Sequence, residues 1–112
     1  LDLYGGVGLF AAALGDLGGA RTRTISVESD ARATAHATEN LAAWPAMRAE
    51  TGRVDRWLPR FAQGLSRSDA DALARGTILL DPPRAGAGRE VVDAVAGLTP
   101  AAVVYVACDP VA

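Results

Sequence analysis

The sequence predicts an α/β domain: a doubly wound, mostly parallel sheet with helices on both faces, of the Rossmann-like kind. Short apolar runs alternate with helical stretches, and no internal repeat competes with that pattern. Glycine or proline turns follow the carboxyl ends of several runs. In chain order, Leu1 to Tyr4 reads as the end of a first strand, Gly5 to Gly8 as a turn, and Leu9 to Leu17 as a helix stopped by Gly18 and Gly19. Thr24 to Glu28 is a second strand, and Ser29 or Asp30 caps a helix expected to run to about Trp44, where Pro45 prevents continuation. Arg48 to Thr51 is a short third strand. Val54 to Phe61 reads as a helical piece interrupted by Pro59, and Asp69 to Arg75 as a second piece closed by Gly76. Thr77 to Asp81 is a fourth strand. Arg89 to Ala96 places Val91, Val92 and Val95 on one packing face, and Ala102 to Ala107 is a fifth strand, continuously apolar as buried parallel strands are.

Right-handed crossovers join five such strands most simply in the order 3-2-1-4-5. Ligands in these sheets bind beyond the carboxyl ends of the strands where strand order reverses, here between the first and fourth strands.

Composition removes several classes. The chain has 112 residues, 50% apolar and 21% charged, with a net charge of -2 and one cysteine, which fits one small domain. A lone Cys excludes an internal disulfide framework and a cysteine-rich metal site. The longest apolar run, Ala101 to Cys108, falls far short of the roughly 20 residues that span a membrane. A pI near 5.2 offers no basic footprint for nucleic acid. No charged-then-apolar leader opens the sequence, so a cytoplasmic location is expected. Leu1 falls inside a predicted strand and Ala112 just after an apolar run, so residues 1–112 are expected to be part of a longer domain.

The turn Gly6-Val7-Gly8 between strand and helix lets backbone approach a ligand closely, because glycine has no side chain and tolerates positive φ. Glu28 follows Gly8 by about 20 residues, the spacing at which an acid ending the second strand accepts hydrogen bonds from ribose hydroxyls. A ligand-free glycine turn and the dinucleotide pattern of dehydrogenases also match this pair. Asp2 favours a cofactor with a cationic amino-acid end, such as S-adenosylmethionine, over a pyrophosphate that two acids would repel. In Asp81-Pro82-Pro83-Arg84 two prolines take the chain out of the ladder at once and hold Asp81 at the sheet edge. The plain alternative is a strand-ending turn in which Asp81 bonds local backbone. Methyltransferases acting on amino groups have an aromatic residue in the fourth place of a related motif. Arg84 reads as a surface residue, with phosphate or carboxylate pairing as the alternative. Cys108 by composition is a small buried hydrophobe. By strand order it sits about 10 Å from the glycine turn, with Asp81 between them.

Four stretches together resemble a known family: Leu1-Asp2-Leu3-Tyr4-Gly5-Gly6-Val7-Gly8-Leu9-Phe10, Val27-Glu28-Ser29-Asp30, Leu80-Asp81-Pro82-Pro83-Arg84-Ala85-Gly86 and Val104-Tyr105-Val106-Ala107-Cys108-Asp109-Pro110. From end to end the chain resembles the catalytic core of the RNA uracil-5-methyltransferase family, particularly its single-chain bacterial members. The resemblance implies a partial S-adenosylmethionine-dependent catalytic domain over 1–112, acting on uridine of tRNA or rRNA. Tyr4, Glu28 and Asp81 would contact the cofactor beside the Gly6 and Gly8 turn, and Cys108 would be the nucleophile. Gly5 stands where the family often has Cys or Ala, and Asp109 where many members have Asn, a second acid that disfavours a thiolate beside it.

The implied chemistry needs a thiol, because carbon 5 of uracil is too weak a nucleophile until a thiolate adds to carbon 6. In the family a Glu beyond the cysteine strand removes the carbon 5 proton, and a Gln and often an RNA-binding barrel precede the first strand. This segment by itself is therefore expected to be inactive. Methylation of an exocyclic amine, a dehydrogenase and a non-catalytic nucleotide-cofactor module are the rival readings. His36, with no metal ligand at suitable spacing, reads as solvated. Asp55 reads as a helix-start acid, with a contact to adenine as the alternative, and Trp44 and Trp57 read as packing residues. No metal or membrane partner is expected. Oligomeric state and the uridine chosen are not written in the sequence.

Overall fold

The computed structural model describes residues 1–108. The chain runs β1 (Asp2–Leu3), α1 (Leu9–Gly18), β2 (Thr24–Glu28), α2 (Ala31–Asn40), β3 (Met47–Thr51), α3 (Val54–Gly64), α4 (Arg67–Ala74), β4 (Thr77–Leu80), α5 (Arg89–Gly97) and β5 (Ala102–Tyr105). The five strands form one parallel sheet in the order β3-β2-β1-β4-β5, as the periodicity predicts.

Alternation along the strands sends residues to two different environments. Leu3, Ile25, Val27, Ile78 and Leu80 pack beneath Val54 and Leu58 of α3 and Val91 and Val95 of α5, in one apolar cluster. The opposite face carries the smaller cluster Ala11, Leu41 and Met47 under α1 and the end of α2. There Asp2 and Ser26 are paired neighbours, and both are buried.

Four expectations about the elements change. Helix α2 ends at Asn40, not near Trp44. Tight turns follow, in which the amides of Ala42 and Trp44 bond the carbonyls of Glu39 and Leu41, and the proline after Trp44 disfavours helical geometry at that residue. Pro59 does not interrupt α3, which continues to Gly64. It lacks only one amide and is exposed, while Val54 and Leu58 anchor the helix on the core. Val92 is 48% exposed, unlike Val91 and Val95, so α5 packs through a narrower stripe than its three valines suggest. Finally, Val103, Val104 and Tyr105 of β5 are between 42% and 51% exposed rather than buried, because among the described residues β5 has a strand neighbour on one side only. A continuous apolar run does not distinguish an edge strand from a central one, because burial also needs a neighbour on the far side.

Candidate functional site

The site begins where β1 stops. Tyr4 has φ 61, followed by Gly6 at φ 56 and Gly8 at φ 87. A tyrosine in the left-handed region costs on the order of 1–3 kcal/mol and persists only where its surroundings over-determine it. Here the Gly5 amide donates to the Val27 carbonyl at 2.9 Å, the Gly8 amide to the Gly5 carbonyl at 3.0 Å, and the Asn40 side chain to the Val7 carbonyl at 2.8 Å. Gly5 has no room for a side chain, because a Cβ would run into the Ser26 hydroxyl and lie 2.9 Å from Asp2 Oδ2. Ser26 thus fills the space that a larger residue at position 5 would need.

Beneath the turn, Ser26 donates to Asp2 Oδ2 at 3.2 Å, while Asp2 Oδ1 is buried with no hydrogen-bond partner among the described residues. Burial pushes the Asp2 carboxyl above the ordinary carboxylate range, against the Ser26 bond that favours its charged form.

Glu28, at the end of β2, ties the turn to the neighbouring strand. One oxygen accepts from the Gly6 amide at 3.3 Å, and the other accepts from the Asp30 amide at 2.8 Å and the Ser29 hydroxyl at 3.3 Å. Asp30 in turn caps α2 by accepting from the Arg32 amide at 2.9 Å.

Tyr4, Glu28 and Asp81 come together on the wall of one cleft of about 520 Å³ at the carboxyl edge, at the predicted reversal of strand order. Arg53, Asp55, Pro82 and Ala87 are also on its wall. Asp81 is placed by its amide, which donates to the Leu3 carbonyl at 3.2 Å, and by the prolines that follow. Arg53 grips Asp55 with two hydrogen bonds of 3.1 and 2.8 Å and holds its carboxyl below the usual range. Three acids against one arginine suit a ligand offering hydroxyl donors and positive charge, and oppose a pyrophosphate. Burial raises the Tyr4 phenol, aided by Asp55 and Tyr105. A second hollow of about 210 Å³ lies at the opposite end of the sheet, among Arg23, Thr24, Phe61 and Thr77, away from every predicted site residue.

Cys108 follows β5 and is exposed, not buried as its composition alone would suggest. It is not among the residues lining the cleft. Its strand neighbours β4, and the Val106 amide bonds the Leu80 carbonyl at 2.8 Å, so the cysteine segment leaves the sheet directly beside Asp81. Asp109 and Pro110 lie outside the described residues. His36 is exposed, Trp57 stacks on Phe61 with centroids 4.6 Å apart, and Trp44 lies against Gly15, which accords with their bland readings. Among the described residues no three His, Cys, Asp or Glu side chains converge as metal ligands, and no helix is long and apolar enough to cross a membrane.

Asn40, Arg53 and Tyr105 escaped the sequence reading. Arg53 carried a faint signal, an opposite charge two residues before Asp55. Asn40 and Tyr105 act on backbone atoms distant in sequence, which no local pattern reveals.

No family model matches the chain. Over its whole length it is 46% identical to a protein of Streptomyces avermitilis and 46% identical to one of Streptomyces coelicolor, covering 24% and 22% of their lengths. It is 38% identical over 111 residues, 98% of this chain and 23% of the relative, to a protein of Thermotoga maritima. All three carry the name uncharacterized RNA methyltransferase. The chain spans about a quarter of the length of these relatives.

Proposed function

We propose that this chain, which belongs over its full length to the family of those bacterial proteins, is the cofactor-binding core of an S-adenosylmethionine-dependent RNA methyltransferase. The methylated position is carbon 5 of a uridine in tRNA or rRNA, and Cys108 is the nucleophile. One observation carries the reading: Tyr4, Glu28 and Asp81, distant in sequence, line one acid-rich cleft at the strand-order reversal, and Cys108 emerges exposed from the strand next to Asp81.

The residues fit S-adenosylmethionine. Glu28 Oε1, which accepts from the Gly6 amide, keeps a lone pair for a ribose hydroxyl while Oε2 is taken by the Asp30 amide and the Ser29 hydroxyl, and the Tyr4 ring and Pro82 offer flat apolar surface. Asp55 stands where it can accept from an adenine amino group, and the acid surplus favours a sulfonium and an ammonium. The cofactor, when bound, supplies an electrophilic methyl group. Cys108 as thiolate adds to carbon 6 of the uracil, and the electron pair displaced toward the carbonyl makes carbon 5 nucleophilic. After methylation a base takes the carbon 5 proton, the carbon 5–carbon 6 double bond re-forms and the thiolate leaves.

In the full-length protein, Cys108→Ala is expected to abolish 5-methyluridine formation while S-adenosylhomocysteine still binds. RNA carrying 5-fluorouridine has no removable proton at carbon 5, so with cofactor present it is expected to leave a covalent adduct on Cys108, read by mass spectrometry. Methylation surviving Cys108→Ser would replace this reading with attack by an exocyclic amine.

A further inference from the structure

Ala87 lies between two glycines in the left-handed region, Gly86 at φ 89 and Gly88 at φ 84, in the loop that joins the paired prolines to α5. Its methyl group packs against the apolar cluster beneath α3 and α5. Both of its backbone polar groups also have partners, and each partner is a tyrosine, one just after β1 and one at the end of β5. The Ala87 amide donates to Tyr105 Oη at 3.0 Å, and the Tyr4 hydroxyl donates to the Ala87 carbonyl at 3.5 Å. Tyr4 follows β1 and Tyr105 ends β5, the two neighbours of β4, so the loop that β4 feeds is held from both sides. Ala87 lines the cleft together with Tyr4, Asp81, Pro82 and Pro83. The position of this one peptide therefore sets how far the wall after Pro83 stands from Tyr4.

We propose that the Tyr105 hydroxyl is a positioning group for the cofactor cleft: together with the longer Tyr4 contact it clamps Ala87, and so holds this part of the cleft wall at the spacing that binding needs. The proposal rests on the reading that this cleft takes S-adenosylmethionine. Tyr105 does not line the cleft and acts only through Ala87. Its bond is the shorter of the two and comes from a side chain 42% exposed, so losing it loosens the wall without opening the core. Because Tyr105 lies three residues before Cys108 in the chain, the same bond links the cofactor wall to the segment that carries the thiol.

Tyr105→Phe in the full-length protein keeps the ring and removes the acceptor. Hydrogen exchange at Ala87 within the 84–88 segment, without ligand, is expected to quicken about tenfold, since its half-buried amide loses the acceptor it has among the described residues. The melting temperature is expected to move by less than about 2 °C, unlike that of a core variant. The dissociation constant for S-adenosylhomocysteine is expected to rise roughly three- to tenfold, the range one hydrogen bond commands. Unchanged exchange overturns the clamp, and faster exchange with an unchanged dissociation constant overturns the positioning role. A wild-type protein that binds no S-adenosylhomocysteine defeats the cofactor reading instead, while the exchange measurement still decides the clamp.

Discussion

The two faces of the sheet are built on different terms. On one face Leu3, Ile25, Val27, Ile78 and Leu80 of the strands meet Val54, Leu58, Val91 and Val95 of α3 and α5 in one buried apolar cluster of nine residues. On the other, Ala11, Leu41 and Met47 form a smaller cluster with Ala37 and Leu79 buried nearby, and beside them Asp2, Thr24 and Ser26 are buried polar residues. The second face also carries the glycine turn, and both features have one origin. A turn whose backbone must pass close to a ligand needs glycines, and the space beneath them admits only short side chains. One oxygen of Asp2 is buried without a partner among the described residues, an unfavourable arrangement that a scaffold tolerates where another face supplies stability. The first face is chiefly a stability device, and the second gives up packing to shape a site.

Truncating the dry face gives the largest effect. Leu58→Ala removes a fully buried side chain of the nine-residue cluster and is expected to lower stability by about 2–5 kcal/mol, read from the urea midpoint. A loss well under 1 kcal/mol would erase the contrast between the faces. Gly5→Ala should cost about 1–3 kcal/mol, because the new methyl meets Ser26 and Asp2 rather than open space. Adding Ser26→Ala should recover part of that loss, and strict additivity in the double-mutant cycle would mean that Ser26 does not set the limit at position 5.

The smallest effect concerns Asp2. Its folded-state pKa is raised by burial, so the native protein binds the proton more tightly than the unfolded chain does. That contribution to stability is fully present below the unfolded value of 3.8 and is lost as pH rises through the higher folded value. Asp2→Asn should flatten this part of the stability profile. An identical slope in both proteins above pH 4 would show that burial of the acid carries no such cost.

The elements divide in the same way as the faces. Strands β2, β3 and β4 and the cap of α2 were legible because their signals are local: a run of alternating or continuous apolar residues, and an Asp one residue before a helix. Glu28 and Asp81 were legible because one ends and the other follows a strand whose place in the order could be deduced, whereas Tyr4 was singled out only through the family resemblance. The early end of α2, the uninterrupted α3 and the exposure of Val92 and β5 were not, since each depends on what lies across from the residue. Tyr105 sat within a recognised stretch, yet its bond to Ala87 joins residues brought together only when β4 and β5 pair.

The sequence by itself determined the alternation of strands and helices, their order in the sheet and the edge at which a site forms. Apolar period, glycine turns and the handedness of crossovers act over short stretches of chain and over few possible arrangements. Only the tertiary structure decided that Ser26 fills the space a side chain at Gly5 would need, that the Tyr4 backbone is held in the left-handed region, and that the Ala87 amide meets the Tyr105 hydroxyl. Those outcomes depend on ångström-scale distances between atoms on separate strands, and such distances exist only once the strands are assembled.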